Sequence, residues 1–258
     1  MTAKKPVQRP AHVRAAPPPT PEQAQAMAWM HTARFLTTAA QLNQLPPHNA
    51  PEIAFVGRSN AGKSTSINTL TQQRQLAYAS KTPGRTQHIN LFALGKHGET
   101  DAVLADLPGY GYAAVPKSDK ERWQRVMANY LVSRANLIGV VMLIDPRHGL
   151  TELDEVLLEV IRPRVEEGLK FLVLLTKADK LTRAEARKAL DIARLQAGGG
   201  QVQLFSGLKK QGVAEAAEVL RRWVAAAPSA PDAEPEPDAT AGTAAAPSAA
   251  PAAPPAAA

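Results

Sequence analysis

Six short apolar runs are spaced through the middle of the chain: "EIAFVG" (52–57), "HINLFAL" (88–94), "AVLADL" (102–107), "LIGVVMLID" (137–145), "LKFLVLLTK" (169–177) and "GQVQLFS" (200–206). Most are continuous rather than alternating, the pattern of strands covered on both faces. Between them lie segments with helical spacing: Lys63–Gln72, Ser118–Arg134 with Ser118 as cap, Thr151–Glu167, Thr182–Gln196 and Gly212–Ala226. An Ala-rich stretch, Gln23–Gln41, reads as a helix ahead of the first strand. Pro163 is expected to bend or shorten the helix that contains it. The polar turn Gly95–Asp101 separates the second and third runs and predicts a hairpin. The expectation is an α/β fold of three layers, its mostly parallel six-stranded sheet carrying one antiparallel strand. In such sheets ligands bind beyond the carboxyl ends of the strands, so the loops there are where chemistry is sought.

Composition limits the folded part. Residues 1–21 hold six of the 22 prolines and residues 227–258 hold eight more, among Ala and small polar residues. Neither stretch can bury enough apolar surface to offset the entropy of ordering, so both are expected to be disordered tails. Residues 22–226 are expected to form one domain. The net charge of +7 belongs to that domain: four positives (Lys4, Lys5, Arg9, Arg14) in the first stretch cancel four negatives (Asp232, Glu234, Glu236, Asp238) in the last. A basic domain is drawn to polyanions, nucleic acid foremost. The chain has no cysteine, which excludes disulfides, thiol nucleophiles and cysteine zinc sites. The longest apolar run, Leu137–Ile144, is too short to span a bilayer, and no signal-peptide core is visible. A soluble cytoplasmic protein is expected.

The loop after the first run, "GRSNAGKS", fits G-x-x-x-x-G-K-[ST], a phosphate-cradling loop running into a helix. Its backbone N–H groups and the helix dipole favour phosphate oxygens, with Lys63 bridging the β- and γ-phosphates and Ser64 ligating Mg²⁺. After the third run comes D-x-x-G, in which Asp106 can hold Mg²⁺ through water and the Gly109 N–H can sense a γ-phosphate. Between these, "SKTPGRTQH" offers Thr86 as a second hydroxyl ligand. After the fifth run comes "TKAD". A carboxylate only accepts hydrogen bonds, and guanine offers N1–H and an amine side by side, a match for Asp179 that adenine lacks. The Lys177 stem can lie along the base. In "FSGLKK" the Ser206 N–H is the expected donor to guanine O6.

"GRSNAGKS", "KTPGRTQ", "DLPGYGYA", "IDPRHGLTELD", "TKAD" and "FSGLKK" together resemble the EngB (YihA/YsxC) family of bacterial GTPases over residues 27–225, nearly all of the expected domain. The resemblance implies a Ras-like P-loop GTPase domain, a role in assembly of the large ribosomal subunit and a need for normal cell division and septation. The partners it implies are the large subunit and its rRNA, with no membrane and no DNA; a monomer is expected. GTP contacts then fall on Gly57, Arg58, Ser59, Asn60, Ala61, Gly62, Lys63 and Ser64 in the phosphate loop, and on Gly84, Arg85, Thr86, Gln87 and His88 in the second loop. They continue at Asp106, Leu107, Pro108 and Gly109, then at Thr176, Lys177, Ala178 and Asp179, and finally at Phe205, Ser206 and Gly207. Mg²⁺ falls on Ser64 and Thr86, beside Asp106. The alternative is a GTP-dependent binding module in septation with little turnover.

Two departures from GTPases at large matter. Thr176 replaces an asparagine that usually ties the guanine loop to the phosphate loop; being shorter, threonine is expected to lose that tie and leave micromolar affinity. Tyr110 stands where a water-orienting glutamine often follows Gly109. The catalytic set expected is therefore Lys63, Thr86, Gly109 and Asn60, the last as a ligand for a potassium ion that supplies positive charge. An activating partner is the other source of that charge, and unassisted hydrolysis is expected below ~10⁻² s⁻¹. Arg58, Lys81, Arg85, Lys209 and Lys210 are candidate rRNA contacts on the same side.

Overall fold

In the computed structural model, residues 17–77, 88–111 and 117–227 are described, without the side chains of 117–120, 122 and 123. The first helix, α1 (Pro21–Met30), is shorter than its Ala-rich sequence suggests. Thr20 caps it by accepting the Gln23 N–H, the Gln23 side chain returns the bond, and Pro21 supplies a preset first turn. The stretch expected to continue this helix is instead a strand, β1 (Arg34–Ala39). Its "RFLTTA" is rich in the β-branched and aromatic residues that favour extended backbone. The remaining elements follow as β2 (Glu52–Gly57), α2 (Lys63–Leu70), β3 (Ile89–Leu94) and β4 (Ala102–Asp106). After them come α3 (Lys117–Ser133), β5 (Leu137–Ile144), α4 (Glu152–Glu166), β6 (Lys170–Leu175), α5 (Arg183–Gln196), β7 (Gln201–Leu204) and α6 (Val213–Ala225). Ser118 lies inside the first turn of α3 rather than at its cap, and α4 continues through Pro163.

The strands form one sheet of seven, not six, in the order β1-β3-β4-β2-β5-β6-β7. The extra strand is β1, at the edge. Strand β3 pairs antiparallel with both β1 and β4, the latter through the expected hairpin, and every other pairing is parallel. The fold is therefore α/β and mostly parallel with one antiparallel strand. The Arg34 guanidinium secures the edge by donating to the carbonyls of Gly95, Gly98 and Glu99 in the hairpin turn.

Alternate residues of the central strands feed two cores. Ile53 and Phe55 of β2 face α1, α2 and α6, where Trp29, Ile67, Leu70, Leu220 and Trp223 are buried. Ala54 and Val56 face α3, α4 and α5, with Tyr130, Leu157 and Ile161. Gly139 lets α6 approach β5: a Cβ there would stand 2.4 Å from the Trp223 ring. Among the described residues no helix is long and apolar enough to cross a membrane. The expected tails, 1–21 and 227–258, lie almost wholly outside the described residues.

Opposite the carboxyl ends of the strands, β2 begins at a buried carboxylate. Glu52 accepts from the Tyr130 hydroxyl at 2.5 Å, from Arg134 on both oxygens at 2.6–2.9 Å, and pairs with His48 at 2.8 Å. Burial alone would raise its pKa; the bonds from His48, Arg134 and Tyr130 outweigh burial and hold it at about 2, against an ordinary 4.5. The stability this adds is full above pH 4.5 and is lost as pH falls toward about 2. Glu52→Gln is expected to cost roughly 3 kcal/mol at neutral pH, because Arg134 loses its counter-charge. It is also expected to flatten the stability profile below pH 4.5, as read by urea unfolding across that range.

Candidate functional site

The site is assembled at the carboxyl ends of β2, β4, β6 and β7. Gly57 ends β2 beside β5, where a Cβ would lie 2.7 Å from the Leu143 carbonyl. The chain then turns through two left-handed residues, Asn60 (φ 65°) and Gly62 (φ 97°), and enters α2 at Lys63. Asparagine tolerates that conformation better than most side-chain-bearing residues, and glycine is free to adopt it. This conformation turns the backbone of residues 58–62 into an open loop directly at the helix N-terminus, as phosphate binding requires.

Lys63 is buried and its ammonium forms an ion pair with Asp106 Oδ1 at the end of β4. The other carboxylate oxygen, Asp106 Oδ2, is buried with no hydrogen-bond partner among the described residues. An orphaned oxygen on a carboxylate that pairs with Lys63, the residue before the half-buried Ser64 at the helix start, is a fit for a hydrated divalent cation. No cluster of three acidic or histidine side chains exists among the described residues, so such an ion would draw most of its ligands from phosphate and water, as Mg²⁺ does.

The D-x-x-G segment is stitched to the phosphate loop. The Leu107 N–H donates to the Phe55 carbonyl at 3.1 Å, and the Ser59 N–H donates to the Tyr110 carbonyl at 2.8 Å. Gly109 lies flat against Ser59, whose Cα would be 3.3 Å from any Cβ added there.

At the base end, Thr176 corrects an expectation. Its hydroxyl donates to the Ala61 carbonyl at 2.6 Å and lies near the Ile144 carbonyl at 3.1 Å, so the tie to the phosphate loop survives the shorter side chain. Gly62, whose φ of 97° suits glycine, lies against Thr176, 3.7 Å from where a Cβ would be. Lys177 adds a second tie, donating to the Asn60 carbonyl at 2.7 Å and to Asp145 Oδ2 at 2.9 Å. Asp145 also holds Arg147; burial opposes its ionisation, but the two cations keep its carboxyl well below the usual range. Its part in steadying Lys177 was not visible in the sequence, where only its place beside Arg147 and His148 could be seen.

Asp179 is fixed from behind. The Ser206 hydroxyl donates to its Oδ1, and Oδ2 makes no hydrogen bond among the described residues. Ser206 differs from expectation in its backbone: its N–H is taken by the Gln211 carbonyl at 3.0 Å. The N–H of the next residue, Gly207, makes no hydrogen bond among the described residues, and Gly207 packs onto α2 so tightly that a Cβ would meet the Thr69 hydroxyl at 2.8 Å. Ala178 and Phe205 join the two loops through an N–H to carbonyl bond of 3.1 Å. The structure thus brings together the predicted residues of the phosphate loop, of D-x-x-G, and of both base loops. Gly84, Arg85, Thr86, Gln87 and Lys81 lie outside the described residues; His88 is exposed just ahead of β3.

A profile of the 50S ribosome-binding GTPase family matches residues 52–177. The GTP-binding protein EngB of Acidovorax ebreus is 77% identical over 197 residues, 76% of this chain and 90% of its own length. That of Burkholderia vietnamiensis is 49% identical over 81% of this chain and 97% of its own. The chain belongs to the EngB family of GTP-binding proteins. It is a P-loop GTPase. Among solved structures, an EngB GTP-binding protein superposes with a TM-score of 0.55 at 20% identity, covering 67% of this chain and 98% of that one. Era in complex with MgGDPNP and 16S rRNA nucleotides gives 0.56 at 19% identity over 74% and 61%. At these identities the likeness is one of fold.

Thr176→Ala removes the tie to Ala61 and leaves a buried carbonyl with one donor fewer. Nucleotide affinity measured by titration calorimetry is expected to fall about tenfold, the loss of one good hydrogen bond.

Proposed function

We propose that this EngB GTPase is a Mg²⁺-dependent switch that hydrolyses GTP during assembly of the large (50S) ribosomal subunit, and that its role in cell division and septation follows from that supply of ribosomes. The observation that carries the chemistry is the convergence of four separate loops on one edge of the sheet. A buried lysine and a half-orphaned carboxylate lie at the phosphate end, and a carboxylate with one open oxygen lies at the base end.

Asp179 Oδ2 accepts from guanine, and the free N–H of Gly207, in place of that of Ser206, donates to O6. Phosphates lie across Gly57–Ser64, and Lys63 exchanges Asp106 for phosphate oxygens. Ser64, Thr86 and Asp106 would hold Mg²⁺, which neutralises phosphate charge and orients the γ-phosphoryl group. The Gly109 N–H reports whether that group is present. Tyr110 has no free amide or acid with which to orient water, so positive charge must come from elsewhere. The Asn60 side chain supports potassium as a source: it is exposed at the phosphate loop and makes no hydrogen bond among the described residues, while Lys177 holds its carbonyl.

The ribosomal reading rests on the family description and on charge. Lys209 and Lys210 are exposed beside the base loop, Arg58 lies in the phosphate loop, and the chain carries +7 overall. A polyanion partner on this side of the protein would be sensitive to the bound nucleotide.

Multiple-turnover phosphate release in potassium and in sodium, each with and without purified 50S particles, tests the proposal. Alone and in sodium the rate is expected below ~10⁻² s⁻¹, with at least tenfold gains from potassium and from 50S particles. Gains from neither would remove the switch reading, and co-sedimentation that ignores salt would remove the electrostatic one.

A further inference from the structure

Tyr110, in the position of the missing glutamine, is turned away from the phosphate loop's open side. Its ring is buried, and its hydroxyl donates to Asp154 Oδ1 at 2.6 Å. Burial, with the Asp154 charge added, pushes the phenol well above its ordinary value despite nearby Arg58, so the donor stays protonated. Asp154 is itself buried in the first turn of α4. Its Oδ2 accepts both the backbone N–H of Thr151 at 2.8 Å and the Thr151 hydroxyl at 2.7 Å. The same carboxylate therefore caps α4 with one oxygen and holds Tyr110 with the other. Tyr110 is also held through its backbone, by the Ser59 N–H.

Gly109 and Tyr110 are adjacent and Tyr110 is held at both its carbonyl and its hydroxyl, so a shift of the D-x-x-G backbone toward a γ-phosphate that is not absorbed by rotation at Gly109 pulls on Tyr110. Arg58 completes the arrangement. It is half-buried over Gly111, where a Cβ would meet its Nε at 3.1 Å, and that Nε has no hydrogen-bond partner among the described residues. Arg58 and Asp154 border one cavity of about 170 Å³. A carboxylate abandoned by Tyr110 thus has across a small space a guanidinium whose Nε is unpaired among the described residues, a geometry with two discrete pairings.

We propose that Tyr110 and Asp154 are positioning residues whose hydrogen bond opposes the γ-phosphate-bound placement of D-x-x-G, with Arg58 as the replacement partner of Asp154, so that the exchange sets how strongly GTP is preferred over GDP. This rests on the reading that Gly109 senses the γ-phosphate. The energy that a γ-phosphate gains at Gly109 is spent in part on freeing Tyr110. Breaking the bond by mutation releases that part to binding. The first turn of α4, which shares the carboxylate, feels the exchange as well.

The test is calorimetric titration of the full chain with GDP and with a non-hydrolysable GTP analogue, with Mg²⁺ present. Tyr110→Phe keeps the ring and deletes only the donor. It is expected to raise the ratio of analogue to GDP affinity about tenfold, the worth of one buried hydrogen bond to a carboxylate, with GDP affinity changed less than twofold. Arg58→Ala, which removes the replacement partner, is expected to lower the same ratio; it also decides the matter should Tyr110→Phe fail to fold. A Tyr110→Phe protein whose two affinities fall together, at an unchanged ratio, would show a merely structural bond and overturn the proposal, as would a ratio that Arg58→Ala leaves alone. Gly109→Ala separates the two levels. If it lowers the ratio while Tyr110→Phe does not change it, the latch alone is wrong; if Gly109→Ala leaves the ratio unchanged, the γ-phosphate reading is wrong too.

Discussion

A carboxylate with one oxygen committed and one open governs this molecule. The Ser206 hydroxyl occupies Asp179 Oδ1, so the acid is oriented before any base arrives. An oriented acceptor in a half-buried loop discriminates strongly, because a base without matching donors leaves it unpaired. Its distance from the phosphate loop has to be fixed for that discrimination to act on a whole nucleotide. Two side chains from the same loop fix it: Thr176 reaches the Ala61 carbonyl and Lys177 reaches the Asn60 carbonyl. On the proposed reading, base recognition and phosphate binding are thereby parts of one frame built on β2 and β6.

The opposite side of the phosphate loop is held by bonds that a nucleotide must rearrange. Lys63 pairs with one oxygen of Asp106 and leaves the other open; on the proposed reading phosphate takes the first residue and a hydrated cation suits the second. Tyr110 is gripped at its carbonyl by Ser59 and at its hydroxyl by Asp154. On that reading the base end is preorganised and the γ-phosphate end is not, a division that suits the proposed switch.

Much of this was legible in the sequence because strand-loop-helix order and loop chemistry are local properties. The continuous apolar runs gave the parallel strands, and the residues between 57 and 64 announced a phosphate loop at the right edge of the sheet. What escaped was non-local. The strand β1 is half exposed and follows an Ala-rich helix directly, so neither apolar continuity nor alternation marked it; its pairing with β3 decides its conformation. The Ser206 amide looked free because its pairing with Gln211 across a tight turn is a backbone contact that no side chain signals. The Thr176 hydroxyl looked too short because reach was judged by side-chain length alone, whereas the fold brings the Ala61 carbonyl within 2.6 Å of it. Asp154 stood in the sequence only as the last residue of the segment "IDPRHGLTELD", and one of its oxygens belongs to a tyrosine 44 residues earlier.

The most direct measurement is a nucleotide preference that should invert. Replacing the acid by its amide, Asp179→Asn, puts an N–H where an acceptor was, which suits the 2-carbonyl of xanthine and not the 2-amine of guanine. Competition of GTP, XTP and ATP on both proteins should show the wild type favouring GTP over each rival by at least about a hundredfold, and the variant favouring XTP. A wild type that binds ATP as well as GTP, or a variant that keeps its preference for GTP, would contradict the account.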